Sequence, residues 1–346
     1  MKQWTHGGNI YRYGKKLIDF SANINPLGMP EEVKAALQSC GADCERYPDP
    51  YCLELTAALS DFHGVNKEYI CCGNGAADLI FRLCLLKRPK TALIPQPTFS
   101  EYEKALDLVG CKTEYFELKE QNGFALSGDF TEKITQGVDI VFLCSPNNPT
   151  GAVCSRELLI KCAQKCREVN ATMVLDECFL DFLREEKELT MAPFLEDFPN
   201  LIILKAFTKI FAMAGVRLGY CLCSDDKLIA NLWQVLQPWS VSTPAQKCGV
   251  AALKCSDYLE KTLDYTEKGR ENLKNALREL GCTVFDSKAN YVFFKSEKPL
   301  LKPLFDEGIL IRSCENYPFL GDKYYRVAVR SEEENRLLIS ALKKVR

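Results

Sequence analysis

The feature that most constrains the fold of this chain is a repeated alternation of short apolar runs with amphipathic stretches. Runs at 69–73 (YICCG), 91–95 (TALIP), 139–144 (DIVFLC), 172–176 (TMVLD), 201–205 (LIILK) and 218–222 (LGYCL) are near-continuously apolar. Strands of that kind are buried on both faces, as in a parallel sheet. Helix-like segments at 76–87, 98–110 and 155–169 lie between them, and another follows near 225–236. Strand and helix in alternation build an α/β domain, a mainly parallel sheet flanked by helices. Beyond residue 243 the rhythm changes. A helical pattern from about Pro244 to Leu280 precedes NYVFFK, ILIRSC, YYRVAVR and a last helix from about Glu332, which predicts a smaller α+β domain. The division expected is 1–27 as an N-terminal arm and part of the small domain, 28–243 as the large domain, and 244–346 as the small C-terminal domain. The N-terminal segment is expected to pack with the small domain.

Composition narrows the function classes. With 346 residues, 47% hydrophobic and 26% charged, the chain can bury a large core. A formal charge of −2, with no Lys/Arg block, argues against a nucleic-acid partner. No run approaches the roughly 20 apolar residues of a membrane helix, and charged residues fall where a signal peptide needs an apolar stretch. A cytoplasmic protein without membrane contact is expected. The 18 cysteines include no CxxC pair, so they read as small buried hydrophobes, not as a metal site or a disulfide framework.

Chemistry-bearing residues recur just after the strands. Gly73-Asn74-Gly75 turns directly into a helix, so free N–H groups and the positive dipole end meet at Gly75, Ala76 and Ala77, as in a phosphate cradle. A glycine turn for backbone reasons would look the same. SPNNPTG (145–151) makes a rigid polar turn that offers the amide of Asn148 to the crevice at the carboxyl ends of the strands. Asp176 ends a buried strand, where a carboxylate is costly without a partner. Thr208, Lys209 and Arg217 follow the next strand; alone, Lys209 reads as a solvated loop lysine and Arg217 as half of a surface ion pair. Together, a helix N-terminus, an amide, a buried acid, a lysine and an arginine on one sheet edge are what pyridoxal 5'-phosphate requires.

The motifs SPNNPTG, DECFLDF and TKIFAMAGVRLGY resemble those of fold-type I pyridoxal-phosphate enzymes, and within them the histidinol-phosphate aminotransferase-like group, over essentially the whole chain. The resemblance implies that Lys209 carries the coenzyme, Asp176 partners its pyridine nitrogen and Asn148 its ring oxygen. Phe99 would stack on the ring. Gly75, Ala76, Ala77, Thr208 and Arg217 would hold its phosphate. Tyr47 (ERYPDP) would reach the phosphate of a neighbouring subunit, which implies a homodimer with shared sites. Two positions depart from the pattern: Ala206 replaces a phosphate-binding Ser or Thr, and Phe179 replaces a tyrosine that bonds the ring oxygen.

The two ends of the chain separate subgroups. THGGN, DFSANINPLGMP, ILIRSCENYP and YYRVAVRS are similar to the L-threonine-O-3-phosphate decarboxylase family of cobalamin biosynthesis. That likeness implies that the arm folds over the site and brings His6 to a substrate phosphate. Gly7 and Gly8 would allow the sharp turn, with Asn23 close by. Arg326 would bind the substrate carboxylate and Arg312 its phosphate, with Arg330 able to assist. The expected reaction is decarboxylation of O-phospho-L-threonine to (R)-1-amino-2-propanol phosphate. Alternatives are a histidinol-phosphate aminotransferase, and a decarboxylase of O-phospho-L-serine, which differs from the phosphothreonine substrate by one methyl group. A ligand-binding regulator without turnover fits less well, because Lys209 is intact and no helix-turn-helix segment is evident.

Overall fold

A computed structural model describes residues 6–235 and 237–345. The arm runs from His6 through a 3-10 turn, Ile10–Tyr13, into the short strand β1 (Ile18–Asp19). The main sheet has seven strands: β2 (Ile70–Gly73), β3 (Thr91–Gln96), β4 (Lys112–Glu117), β5 (Ile140–Cys144), β6 (Thr172–Asp176), β7 (Leu201–Ala206) and β8 (Gly219–Leu222), in the spatial order β2-β8-β7-β6-β5-β3-β4. β4, β3, β5, β6 and β7 run parallel, and β8 is antiparallel to both neighbours. The sheet is thus mainly parallel, as the alternating pattern requires.

The central strands are buried along their whole length because helices cover both faces. Met173, Leu175, Leu201 and Ile203 point into one core and Val174, Ile202 and Leu204 into the other. This period-2 division explains why the runs read as unbroken apolar stretches and not as alternation.

A second, four-stranded sheet combines β9 (Thr283–Val284), β10 (Tyr291–Lys295), β12 (Arg312–Ser313) and β13 (Tyr324–Ala328). Between β10 and β12 lies β11 (Ile309–Leu310), which pairs in parallel with β1. β1, near the N-terminus, is thereby tied to a strand of the last hundred residues. The helical pattern after Pro244 breaks into Thr243–Ala252 and Ser256–Glu279. The first packs Ala245, Cys248 and Ala252 into a main-sheet core; the second sends Leu273 and Leu277 into the small-sheet core with Phe20 and Val292. Tyr258 and Leu259, near the start of the second helix, also pack against the main-sheet core, so that helix bridges the two.

All the cysteines except Cys44 are buried free thiols, and the described residues hold no metal-binding cluster. No helix of the described residues is long and apolar enough to cross a membrane.

Candidate active site

The crevice forms where β5, β6 and β7 end. After β5, Asn147 is pinned from several sides. Its Oδ1 accepts from Thr98 Oγ1 (2.7 Å), its Nδ2 donates to Pro97 O (2.9 Å) and Thr150 Oγ1 (3.0 Å), and its carbonyl accepts from Tyr291 Oη (2.6 Å). Such a fully bonded buried amide fixes the turn. Asn148, next along, uses its Oδ1 to accept from Arg326 Nη1.

β6 delivers Asp176, 6% exposed. Its Oδ2 accepts from Tyr102 Oη at 2.6 Å and its Oδ1 from the Cys178 N–H at 2.9 Å. Tyr102 is buried, stacked on Phe142 with ring centroids 5.0 Å apart and edge-on to Phe99 at 5.5 Å. Among the described residues no cation lies within ion-pair distance of Asp176. Burial and the Asp176 carboxylate push the Tyr102 phenol well above its ordinary range, so it stays a donor.

β7 leads into a single helical turn, Phe207–Ile210, that carries Lys209. Its Nζ lies 5.9 Å from the ring centre of Phe179, which in turn packs edge-on against Tyr291 at 5.2 Å. Burial first, then the positive charges of Arg326 and Arg217, bring the amine down to about 8, although the nearby Asp176 opposes the shift. The turn is held from behind by Asn25, whose N–H donates to Lys209 O (3.1 Å) and whose Nδ2 donates to Ile210 O (2.7 Å) and Thr262 Oγ1 (2.8 Å).

The phosphate cradle lies at the start of the helix Ala76–Lys87. The Gly75 N–H is already spent on Gly73 O (2.8 Å), so Ala76 and Ala77 present the unpaired helix N–H groups. Gly75 has φ +80°, and a Cβ there would lie 2.5 Å from Arg217 Nη2, so only glycine allows this approach. Arg217 also donates to Ala214 O (3.2 Å), and Thr208 is buried beside Lys209. Asp78 in the first helical turn accepts from Asn74 N–H (2.8 Å) and pairs with the buried Arg82 (2.5 Å), which spends its negative charge away from the cradle. Ala206, 6% exposed, offers no hydroxyl here.

The other wall comes from the small sheet and the arm. Arg326 on β13 is 5% exposed; besides Asn148 it donates from Nη2 to Ser21 O (2.7 Å), and its Cζ lies 5.4 Å over Tyr291. Its Nε is buried with no partner, and no carboxylate of the described residues pairs with it. Arg312 stands directly opposite Arg326 in the β12–β13 register, hence on the same sheet face. It donates to Asn316 Oδ1 (2.7 Å) and lines a cavity of about 690 Å³ with His6, Gly7, Ser21, Ser313 and Asn316. In the arm, His6 Nε2 lies 2.6 Å from Glu101 Oε1, and the His6 ring is 5.9 Å from Phe99. A Cβ on Gly7 would collide with the Ser21 carbonyl, and Gly8 N–H donates to Ser21 Oγ at 2.8 Å. Asn23 is 2% exposed and its Oδ1 is buried without a hydrogen-bond partner.

The structure thus gathers Asp176, Lys209, Asn148, Phe99, Arg217, the helix start, Arg326 and the arm around one crevice. Two residues lie apart. Tyr47 is 78% exposed and stacked on Trp239 at 4.3 Å, and Arg330 is paired with Glu334 at 3.0 Å beyond the end of β13. Sequence reasoning missed Tyr102, Asn25, Ser21 and Glu101. Ser21 and Asn25 lie inside DFSANINPLGMP, and Glu101 and Tyr102 lie just after Phe99 in PTFSEY, but only the fold says which side chain turns inward.

The residues fit pyridoxal phosphate. Asp176 is a buried acid without a cationic partner, Lys209 is an amine shifted toward neutrality, and the Gly75 approach aligns an arginine with helix N–H groups. The model of the family described as "Aminotransferase class I and II" matches residues 15–342. A threonine-phosphate decarboxylase of Salmonella typhimurium is 40% identical, over 99% of this chain and 96% of that protein. An adenosylcobalamin biosynthesis bifunctional protein of Leptospira interrogans is 32% identical over 98% of this chain, which spans 41% of that longer protein. Among solved structures, a histidinol-phosphate aminotransferase from Clostridium acetobutylicum superposes with a TM-score of 0.89 at 28% identity, covering 95% of this chain and 99% of that one.

Proposed function

The chain belongs to the class I and II aminotransferase family, whose coenzyme is pyridoxal 5'-phosphate, and from that premise we propose that it decarboxylates O-phospho-L-threonine to (R)-1-amino-2-propanol phosphate for cobalamin assembly. The observation that carries the reading is the pair of arginines on one face of the small sheet. Arg326 is buried without a carboxylate partner, and Arg312 opposite it lines a cavity roofed by the His6 arm. Two anion anchors side by side suit a substrate with both a carboxylate and a phosphate.

When bound, the coenzyme holds the substrate amine and takes up the electron pair released as CO₂ leaves. The chain's own residues supply the rest. Arg326, oriented by Asn148 and Ser21, takes the carboxylate side. Arg312 and His6 take the phosphate side, joined by Asn23. Together they set which bond at Cα stands upright on the ring, and so whether CO₂ or a proton departs. Lys209 Nζ, poised near neutrality, delivers the proton that replaces CO₂ at Cα. Asp176, held by Tyr102 and Cys178, would partner the coenzyme's pyridine nitrogen.

A homodimer in the cytoplasm, in which Tyr47 serves the neighbouring subunit's phosphate site, accounts for an exposed aromatic patch. Tyr47, Tyr51 and Trp239 are 78%, 58% and 44% exposed. The substrate reading is tested by comparing kcat/KM for O-phospho-L-threonine, O-phospho-L-serine and L-threonine. The phosphorylated threonine should lead, with L-threonine lower by at least about 100-fold from the lost charge-assisted bonds. Equal rates for L-threonine would remove the phosphate anchors from the account.

A further inference from the structure

We propose that Glu101 is the positioning residue for His6, an inference that rests on the reading of His6 as a ligand of the substrate phosphate. Glu101 opens the helix Glu101–Leu108 between two residues of the site, two positions after Phe99 and directly before Tyr102. It is 8% exposed, a poor place for a carboxylate unless that carboxylate is bonded. Its Oε1 lies 2.6 Å from His6 Nε2, and Lys104 Nζ lies 3.4 Å from Oε2. Burial pushes the Glu101 carboxyl up, but the hydrogen bond and charge of His6, joined by Lys104, outweigh burial and hold it below its ordinary range.

An ionised carboxylate can only accept. The short contact therefore places a proton on His6 Nε2 and fixes the plane of the ring, which lies 5.9 Å from Phe99 and tilted by 54° to it. Nδ1 is then the nitrogen through which His6 meets the phosphate. One proton is shared there: a phosphate monoanion donates its O–H to a neutral ring, or a dianion accepts from an imidazolium. Nothing else is consumed.

The arrangement makes phosphate binding depend on the arm. A bare Glu101 beside the crevice repels an anion; with His6 seated on it, the same carboxylate holds the phosphate ligand in place. The other anchor of the arm is Ser21, through Gly8 N–H, and the Ser21 carbonyl orients Arg326. His6 thus bridges the main-sheet side of the crevice and the small-sheet side.

The test combines kinetics with nitrogen spectroscopy on holoenzyme. The chain has two histidines, so ¹⁵N-histidine labelling gives two resolvable rings. In the wild type His6 should show the Nε2-protonated pattern, with Nδ1 shifting on addition of O-phospho-L-threonine. His63, bonded to Tyr220 at 2.7 Å, is the internal control. Glu101→Gln, whose amide donates as well as accepts, should break up that pattern and raise KM for O-phospho-L-threonine about tenfold, with any fall in kcat smaller than the rise in KM. His6→Ala should do the same, and the double variant should be no worse than either single one. Glu101→Asp, a smaller change to the fold, should give a partial KM effect. Unchanged His6 nitrogens in Glu101→Gln, or fully additive KM effects, would overturn the proposal. If the wild type fails to turn over O-phospho-L-threonine, the functional reading falls and the proposal with it. Normal wild-type turnover with an indifferent Glu101→Gln defeats the proposal alone.

Discussion

Arg326 and Lys209 set the electrostatics of the site between them. An ordinary lysine near 10.4 is neutral in fewer than one molecule in a thousand at pH 7, whereas one near 8 is neutral in about a tenth. Lys209 is brought to about 8 by burial, then by Arg326 and Arg217. Coenzyme capture needs the neutral amine, so its rate should climb with pH through about 8 and level off above. Stopped-flow absorbance after mixing apoprotein with pyridoxal phosphate checks this, and a climb that continues past pH 10 would refute it. Arg326→Gln removes one of the charges that depress the amine, so the inflection should move to higher pH. Tyr102 acts on the opposite partner. Tyr102→Phe removes the 2.6 Å donor of Asp176 and leaves it the N–H and thiol of Cys178, a loss of about 1.5–3 kcal/mol for a bond to a charged group. Coenzyme should be held at least tenfold more weakly, as read by dialysis and fluorescence titration.

At the scale of elements, the site consists of strand ends and the turns they feed. The turn most exposed to a single change is Gly75. A Gly75→Ala substitution meets both a positive-φ, extended-ψ backbone open essentially only to glycine, at about 1–3 kcal/mol, and the Arg217 guanidinium. It should weaken phosphate retention strongly while leaving most of the fold intact, which thermal unfolding of the apo and loaded forms would separate. The central strands and the helix Ala76–Lys87 were legible in the sequence because burial on both faces and a glycine start leave plain patterns. β4 was not. Its KTEYFE run lies at the sheet edge, half exposed and charged, so it lacks the apolar signature of its parallel neighbours. ILIRSC reads as one strand, yet it divides at Ile311: Ile309–Leu310 pairs with β1 and Arg312–Ser313 with β13. The division puts Arg312 on the Arg326 face. The motifs carried the identities of Lys209, Asp176 and Asn148, but not their supports. The motif resemblance picks Asn148 over its neighbour Asn147, and the physical difference lies in the bonds: Tyr291 and Thr98 hold the first, which locks the turn, and the second faces Arg326.

For the whole molecule, the arm and β1 matter because they join the first residues of the chain to the last hundred through Ser21, Arg326 and the β1–β11 pair. If the Tyr47 patch pairs two subunits as proposed, sedimentation should give two chains per particle. Tyr47→Phe should weaken coenzyme binding without dissociating the dimer. The central claim, however, is the choice of bond at Cα, because the same fold and lysine serve amino transfer as well as decarboxylation. The measurement that tests it most directly is CO₂ release by the pyridoxal-phosphate-loaded protein given O-phospho-L-threonine and no keto acid. Continuous turnover is expected, with one CO₂ and one amino-propanol phosphate per substrate consumed. A reaction without CO₂ that needs 2-oxoglutarate and yields glutamate, with histidinol phosphate as the better donor, would contradict it.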